Sequence, residues 1–360
     1  MNGSADTDEV ARLRARLKAL DDERAAVIAA LDAVATQKST EYRKADAISL
    51  FSDAPVTATS PTDKKVALFR RLFAGREDVF PLRWDNRKTG RGGYAPACGN
   101  EWKRGLCDKP QVKCGQCAHQ AFLPVTDEVI DKHLRGRALS RSDAGDFVAG
   151  VYPLLADESC RFLAADFDKA SWAEDALAMM ETCRLRGVPA ALERSRSGNG
   201  GHVWIFFADA VPARTARALG ASLLTDTMER RPEIGFGSYD RFFPSQDTMP
   251  LGGFGNLIAL PLQGHARRRG NSLFVDEQLR PYPDQWAFLS SLSQLDAHDA
   301  GRMVADAEMR GRVLGVRMPV EDEHAAEPWR MTPSRRPPLL PVTEPLSGTL
   351  DFVLGDKVLL

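Results

Sequence analysis

Cys160-Arg161-Phe162-Leu163-Ala164-Ala165-Asp166-Phe167-Asp168 decides how this chain is read. The run Cys160–Ala165 predicts a strand, and side chains along a strand alternate between its two faces. Asp166 and Asp168 therefore project together while Phe167 turns into the core. Two carboxylates held side by side repel each other unless something neutralises them, and a divalent cation does so best. About thirty residues later, Ser197-Gly198-Asn199-Gly200-Gly201-His202 supplies a glycine-rich turn and a histidine opening the next strand. Backbone N–H groups of such a turn can approach phosphate closely. An acidic pair and a phosphate cradle together point to metal-assisted phosphoryl transfer. The plainer alternative makes Asp168 the cap of a helix opened by Lys169-Ala170-Ser171-Trp172, and the glycine stretch a flexible turn.

The 360 residues, 43% hydrophobic and 27% charged, suit an ordinary soluble protein of two compact units with appendages. A formal net charge of −1 excludes a global basic field, so any nucleic-acid surface must be local. The sequence shows no signal peptide and no apolar run of about eighteen residues, so neither secretion nor a membrane partner is expected. Four of the six cysteines crowd into Cys98–Cys117, which fits a reducing compartment and a metal site better than a disulfide framework. Cytoplasmic placement is the expectation.

Four segments follow from the pattern. Residues 1–62 hold a heptad-like helix over 8–36, with Leu13, Leu17, Leu20, Val27, Leu31 and Val34 on its seam and Arg24 at the one polar seam position, then a linker. That helix predicts either a coiled coil joining two copies of the chain or a helix packed on its own body. Residues 63–145 begin with a helix at Asp63–Phe73 and continue into a loop-rich basic segment with Arg83, Trp84, Arg87, Lys88, Arg91, Lys103 and Arg104. Inside it, Cys98, Cys107, Cys114 and Cys117 are spaced C-x8-C-x6-C-x2-C and end in a tight knuckle. Four thiolates suit tetrahedral Zn²⁺, with His119 a substitute ligand, and a closed four-ligand site is structural. The alternative is four unrelated free thiols.

Residues 146–300 read as α+β. Strands are predicted at Gly150–Leu154, Arg161–Asp166, Ala190–Arg194, His202–Phe207, Phe236–Asp240, Asn256–Pro261 and Ser272–Val275, with helices over Ser171–Arg186 and Pro212–Glu229. Because turns join several neighbouring strands, a mixed sheet is expected. No G-x-x-x-x-G-K-[ST] occurs, which excludes a P-loop ATPase. Order is expected to fade after residue 300, where prolines mark a linker over 301–360 toward a further domain, missing here or separately encoded.

Asp166-Phe167-Asp168, the Ser197–His202 stretch and the later strand acid in Ser238-Tyr239-Asp240 resemble the three motifs of the archaeo-eukaryotic primase superfamily. The nearer likeness is to primase-polymerases of TOTE conflict systems, related to CRISPR-associated primase-polymerases. It is carried by Arg194 through Trp204, by Asp240-Arg241-Phe242-Phe243-Pro244-Ser245-Gln246-Asp247, by Gly253 through Gln263, and by Cys98-Gly99-Asn100-Glu101-Trp102. It spans roughly residues 64–290. The resemblance implies a primase-like catalytic core with an RRM-like element and an inserted zinc segment.

The activity so implied is DNA-templated nucleotidyl transfer from NTP or dNTP to a 3′-hydroxyl, with de novo priming a further option. Asp166, Asp168 and Asp240 would be catalytic and hold two Mg²⁺ or Mn²⁺ ions, with Asp247 competing for the third position. Arg196, Ser197, Gly198, Asn199, Gly200, Gly201 and His202 would bind nucleotide. Arg87, Arg91, Arg267 and Arg268, with Arg269, are candidates for single-stranded template and primer, although Arg267–Arg269 also read as a solvated turn. A helicase or nuclease, fused or separate, is the expected partner. Two other readings stay open: a zinc-containing nucleic-acid-binding module that polymerises nothing, and an end-joining or terminal-transfer nucleotidyltransferase.

Overall fold

Long apolar strands whose two faces are both buried build the sheet that carries the acidic pair. In the computed structural model, residues 54–86, 89–136, 146–231, 238–250 and 252–312 are described, with Arg12, Arg16, Lys18, Leu20 and residues 352–354 and 357–359. Met1–Val316 form one compact unit and Arg317–Leu360 a second. In the second, strand Phe352–Leu354 pairs antiparallel with Lys357–Leu359. The remaining elements belong to the first.

Helix α1 (Thr62–Leu72) leads to a hairpin of β1 (Pro81–Asn86) and β2 (Arg91–Pro96), then through the cysteine segment to α2 (Asp127–Arg135). The core follows as β3 (Gly150–Val151), β4 (Ser159–Phe167), α3 (Trp172–Leu185), β5 (Ala191–Arg194), β6 (Gly201–Pro212), α4 (Ala213–Arg230) and β7 (Tyr239–Phe243). After it come β8 (Ile258–Ala259), α5 (Gly264–Arg267), β9 (Leu273–Val275), α6 (Gln285–Ser290) and α7 (Ala297–Met309). The main sheet runs in the order β7-β4-β6-β5-β9. From β4 to β7 the chain is βαββαβ, the split βαβ arrangement expected of an RRM-like element.

The expectation of a mixed sheet is corrected: the four ladders of this sheet are all antiparallel. Each helical crossover skips one strand position. β4 and β5 run the same way but have β6 between them, and β6 and β7 have β4 between them. Among the described strands of this sheet, parallel strands are therefore not neighbours. The one parallel contact among the isolated bridges is Phe207 with Leu295.

Strand parity sorts the core into two layers. Leu163, Ala165, Phe167, Val203 and Ile205 meet Met179 of α3, Leu219 of α4 and Ala300 of α7. Phe162, Ala164, Trp204 and Phe206 meet Phe69 of α1, Ile130 of α2 and Trp286 of α6. Burying each large apolar side chain contributes roughly 1.5–3 kcal/mol, so this double burial is what keeps β4 and β6 in register.

Three further differences have local causes. The segment expected to be loop-rich contains the β1–β2 hairpin, whose polar sequence lacks an alternating apolar pattern. α2 forms because Thr126 accepts the Val129 N–H and Gly136 ends the helix in the left-handed region at φ 70°. Order continues past residue 300, since α7 reaches Met309 and buries Ala300, Val304 and Ala307. Of the N-terminal seam, Leu20 is helical and exposed, and the other seam positions lie outside the described residues. No helix among the described residues is long and apolar enough to cross a membrane.

Candidate active site

Strand register builds the site. Asp166 on β4 lies directly across from His202 on β6, and His202 lies across from Glu193 on β5. One polar row thus crosses three neighbouring strands, two residues beyond the apolar row of Ala164, Trp204 and Ala191 on the same face. His202 Nδ1 is 2.9 Å from Glu193 Oε2, and Nε2 is 3.5 Å from Asp166 Oδ1. Trp204 Nε1–H donates to the same Glu193 oxygen at 3.0 Å. Burial opposes the charged imidazole, but the charge and hydrogen bond of Glu193, then the charge of Asp166, outweigh it and raise the His202 pKa. Burial also pushes the Asp166 carboxyl up; His202 pulls it back, while Asp240 and Asp168 push it further.

Asp168 sits just past the end of β4, and its N–H donates to the Ser238 carbonyl at 2.8 Å. Ser238 is buried, and its hydroxyl donates to the buried Asp175 of α3, which also accepts from Ser171 Oγ at 3.1 Å. Asp175 therefore ties the segment entering β7, and with it Asp240, to the segment leaving β4. Asp168 Oδ1 is buried without a hydrogen-bond partner, and Lys169 Nζ stands 3.9 Å away, beyond hydrogen-bond reach. Asp240 accepts from Arg241 Nε at 2.7 Å, whereas Asp247 is ion-paired with Arg217 of α4. Tyr239, beside them, has its phenol pKa raised by burial first. As placed, no three His, Cys, Asp or Glu side chains among the described residues form a group that could hold a metal ion. The donors themselves fit Mg²⁺ or Mn²⁺: hard carboxylate oxygens, one without a hydrogen bond, with Asp166 disfavoured as an anion by burial and then by its like-charged neighbours.

The turn from β5 to β6 closes through Ser195 N–H to Gly200 O at 2.8 Å and Gly198 N–H to Ser195 O at 3.0 Å. Asn199 N–H donates to Ser197 Oγ at 3.2 Å, so two of the amides expected to cradle phosphate are engaged inside the turn. Gly198 has φ +84°, and a Cβ at Gly200 would lie 2.6 Å from the Phe167 carbonyl, so the turn needs glycine to lie against the end of β4. Arg196 and Arg83 both act on the Tyr94 phenol, and Arg83 lies over that ring at 5.9 Å. This sets the turn beside the β1–β2 hairpin, where Trp84 is 47% exposed. Arg91 and Arg268 are exposed, and Arg87 lies outside the described residues. Arg267 donates to the Leu134 carbonyl at 3.3 Å, which ties it to the end of α2.

Cys98, Cys107, Cys114 and Cys117 are free, half-buried, and line one cavity with His119 and Lys109. Asn100 N–H reaches Cys98 Sγ at 3.4 Å, and His119 N–H reaches Cys117 Sγ at 3.3 Å. Burial pushes the Cys114 thiol up, against the pull of Lys109. A Cβ on Gly115 would lie 1.7 Å from the Gly252 carbonyl oxygen, so the knuckle rests directly on the chain that follows β7.

Glu193, Asp175 and Ser238 are the site residues that sequence reasoning missed. Glu193 sits between Leu192 and Arg194 on a short strand, and its partners follow only from the register of β5 on β6. Asp175 and Ser238 had no sequence signal, because only the packing of α3 on β7 joins them.

An α+β core that sets acids and a histidine beside a glycine-rich turn is compatible with phosphoryl or nucleotidyl transfer. Residues 64–303 match the family described as the TOTE conflict system, Archaeo-Eukaryotic Primase domain, and the chain belongs to that family. Among solved structures it is similar to the polymerase domain from Mycobacterium tuberculosis Ligase D in complex with DNA, at 15% identity. That match covers 69% of this chain and 88% of the other at a TM-score of 0.32. No curated protein matches the chain.

Proposed function

We propose that this protein is a metal-dependent, DNA-templated primase-polymerase adding nucleotides from NTP or dNTP to a 3′-hydroxyl. The observation that carries the reading is that Asp168 and Asp240 both act electrostatically on Asp166 at one sheet end, where Asp166 lies across from His202 at the end of the 195–200 turn. Divalent cations, held by these three carboxylates, would activate the hydroxyl and neutralise the triphosphate. His202, whose pKa is raised by its two acidic neighbours against the opposing effect of burial, would offer Nε2 to the phosphates. Ser197 and Arg196 add donors on the turn, and the Gly200–Gly201 backbone allows close approach. The hairpin supplies basic groups and the exposed Trp84 ring, a pairing suited to single-stranded nucleic acid. The four cysteines would hold one structural Zn²⁺, since backbone N–H groups already point at two of the sulfurs.

The reading is tested by extension of a labelled primed template with Asp166→Ala and Asp168→Ala. Both should lose incorporation while keeping the wild-type fold by circular dichroism, and a double variant that extends at the wild-type rate refutes the assignment. For His202→Ala, filter binding should show weaker triphosphate binding and unchanged single-stranded DNA binding. A loss confined to DNA would move His202 out of the nucleotide site.

A further inference from the structure

We infer that Glu193 is a positioning residue that fixes the ring orientation and tautomer of His202, so that Nε2 and not Nδ1 faces the acidic end of the sheet. The inference deepens the nucleotide-binding role proposed for His202 and rests on it for its functional consequence.

The argument is one of donors and acceptors. Trp204 Nε1–H can only donate, and it donates to Glu193 Oε2 at 3.0 Å. The same oxygen lies 2.9 Å from His202 Nδ1. An ionised Glu193 has no proton to give and its Oε2 can only accept, from the indole and from the imidazole alike, so the proton between Oε2 and Nδ1 sits on Nδ1. Nε2, 3.5 Å from Asp166 Oδ1, is then the nitrogen on the site side. Water cannot substitute for this arrangement, because Glu193 is 2% exposed and Trp204 is fully buried. Losing the histidine bond would leave a buried acceptor underused. The strands are also held close at this level, since a Cβ on Gly201 would stand 2.9 Å from the Glu193 carbonyl oxygen. The competing account, in which Glu193 serves only to satisfy the Trp204 indole, predicts that His202 is indifferent to its loss.

Histidine-selective ¹⁵N NMR of the full chain without nucleotide tests this, with His202→Ala assigning the signal. In the wild type Nδ1 should bear a proton, and Glu193→Gln should keep it, because the indole selects the amide oxygen as the shared acceptor. Glu193→Leu should shift the proton population toward Nε2. A bare Nδ1 in the wild type, its loss in E193Q, or an unchanged spectrum in E193L overturns the inference. The wild-type and E193Q spectra decide it even if E193L does not fold.

Triphosphate affinity supplies the second readout. E193L and H202A should each weaken it about tenfold, and E193L should cost less than about twofold more in the H202A background. An undiminished E193L effect in that background shows action independent of His202 and overturns the inference. If H202A alone leaves affinity unchanged, the nucleotide role of His202 fails, while the spectra still decide what Glu193 does.

Discussion

The acidic end of the sheet and the cysteine segment both carry side chains whose chemistry suits a metal, although as placed neither forms a metal-holding group among the described residues, and folding prepares them to different degrees. Asp166, His202 and Glu193 ride on strands whose other residues are buried on both faces, so the two cores that fix β4, β5 and β6 also fix the polar row. Cys98 is held by an isolated bridge to Phe122, Cys114 lies on a three-residue 3₁₀ segment, and Cys107 and Cys117 lie on loops, all four half-buried. Side chains on paired strands inherit geometry from the core, while side chains on loops need the ion to finish it.

The largest effect expected separates two acids on the sheet side. Asp240→Ala should reduce primer extension at least about a thousandfold, a loss of about 4 kcal/mol in transition-state stabilisation. Asp247→Ala, which breaks an ion pair with Arg217, should stay within about tenfold of wild type. Equal losses would erase the distinction between them.

On the cysteine side, freshly purified protein should carry about one zinc per chain by elemental analysis. Cys114→Ser with Cys117→Ser should abolish the zinc and bring amide exchange across about 84–122 to unfolded rates, leaving β4 and β6 protected. Loss of protection in β4 as well would mean that the two regions fold as one unit.

A pH dependence should come from the sheet-side scaffold. Burial, outweighing backbone hydrogen bonds, pushes the His133 pKa down to about 4. Its Nδ1 accepts from Ala149 N–H at 3.1 Å and its Nε2–H reaches the Pro261 carbonyl at 3.0 Å, so a second proton has no place. Between about 6.5 and 4 the unfolded chain binds the proton and the folded chain does not. Stability is therefore whole above about 6.5 and falls as pH drops, by up to on the order of 3 kcal/mol. Urea melts across this range should show the slope in the wild type and a flatter one in His133→Asn.

The smallest effect concerns nucleic acid. Reversing Arg87 and Arg91 together should weaken single-stranded DNA binding about tenfold at moderate salt and lower the salt slope by about one for each phosphate no longer neutralised. Salt-insensitive binding, or no change on reversal, would move the path to Arg268 and Arg269.

Much of this was legible where period and chemistry coincided. The β4 run with Asp166 and Asp168, the helix over Trp172–Leu185 and the Gly-rich turn before His202 all stand within a few residues of their expected bounds. Strand direction was not legible, because turns and helices announce connections but not which position a returning strand fills. The β1–β2 hairpin was missed because Arg83, Trp84, Asp85 and Asn86 give no alternation. Glu193 was overlooked because its role depends on a register, Glu193 to His202 to Asp166, that emerges only when three strands are aligned.

The central claim is that the prepared acidic end performs nucleotidyl transfer. Its most direct test is extension of a 3′-hydroxyl-ended primer on a DNA template by the purified full chain, with Mg²⁺ or Mn²⁺ and with NTP or dNTP. The account predicts divalent-dependent incorporation that follows the template base and disappears in Asp168→Ala. Tight DNA binding with no incorporation under any of these conditions would contradict it and leave the chain a nucleic-acid-binding module.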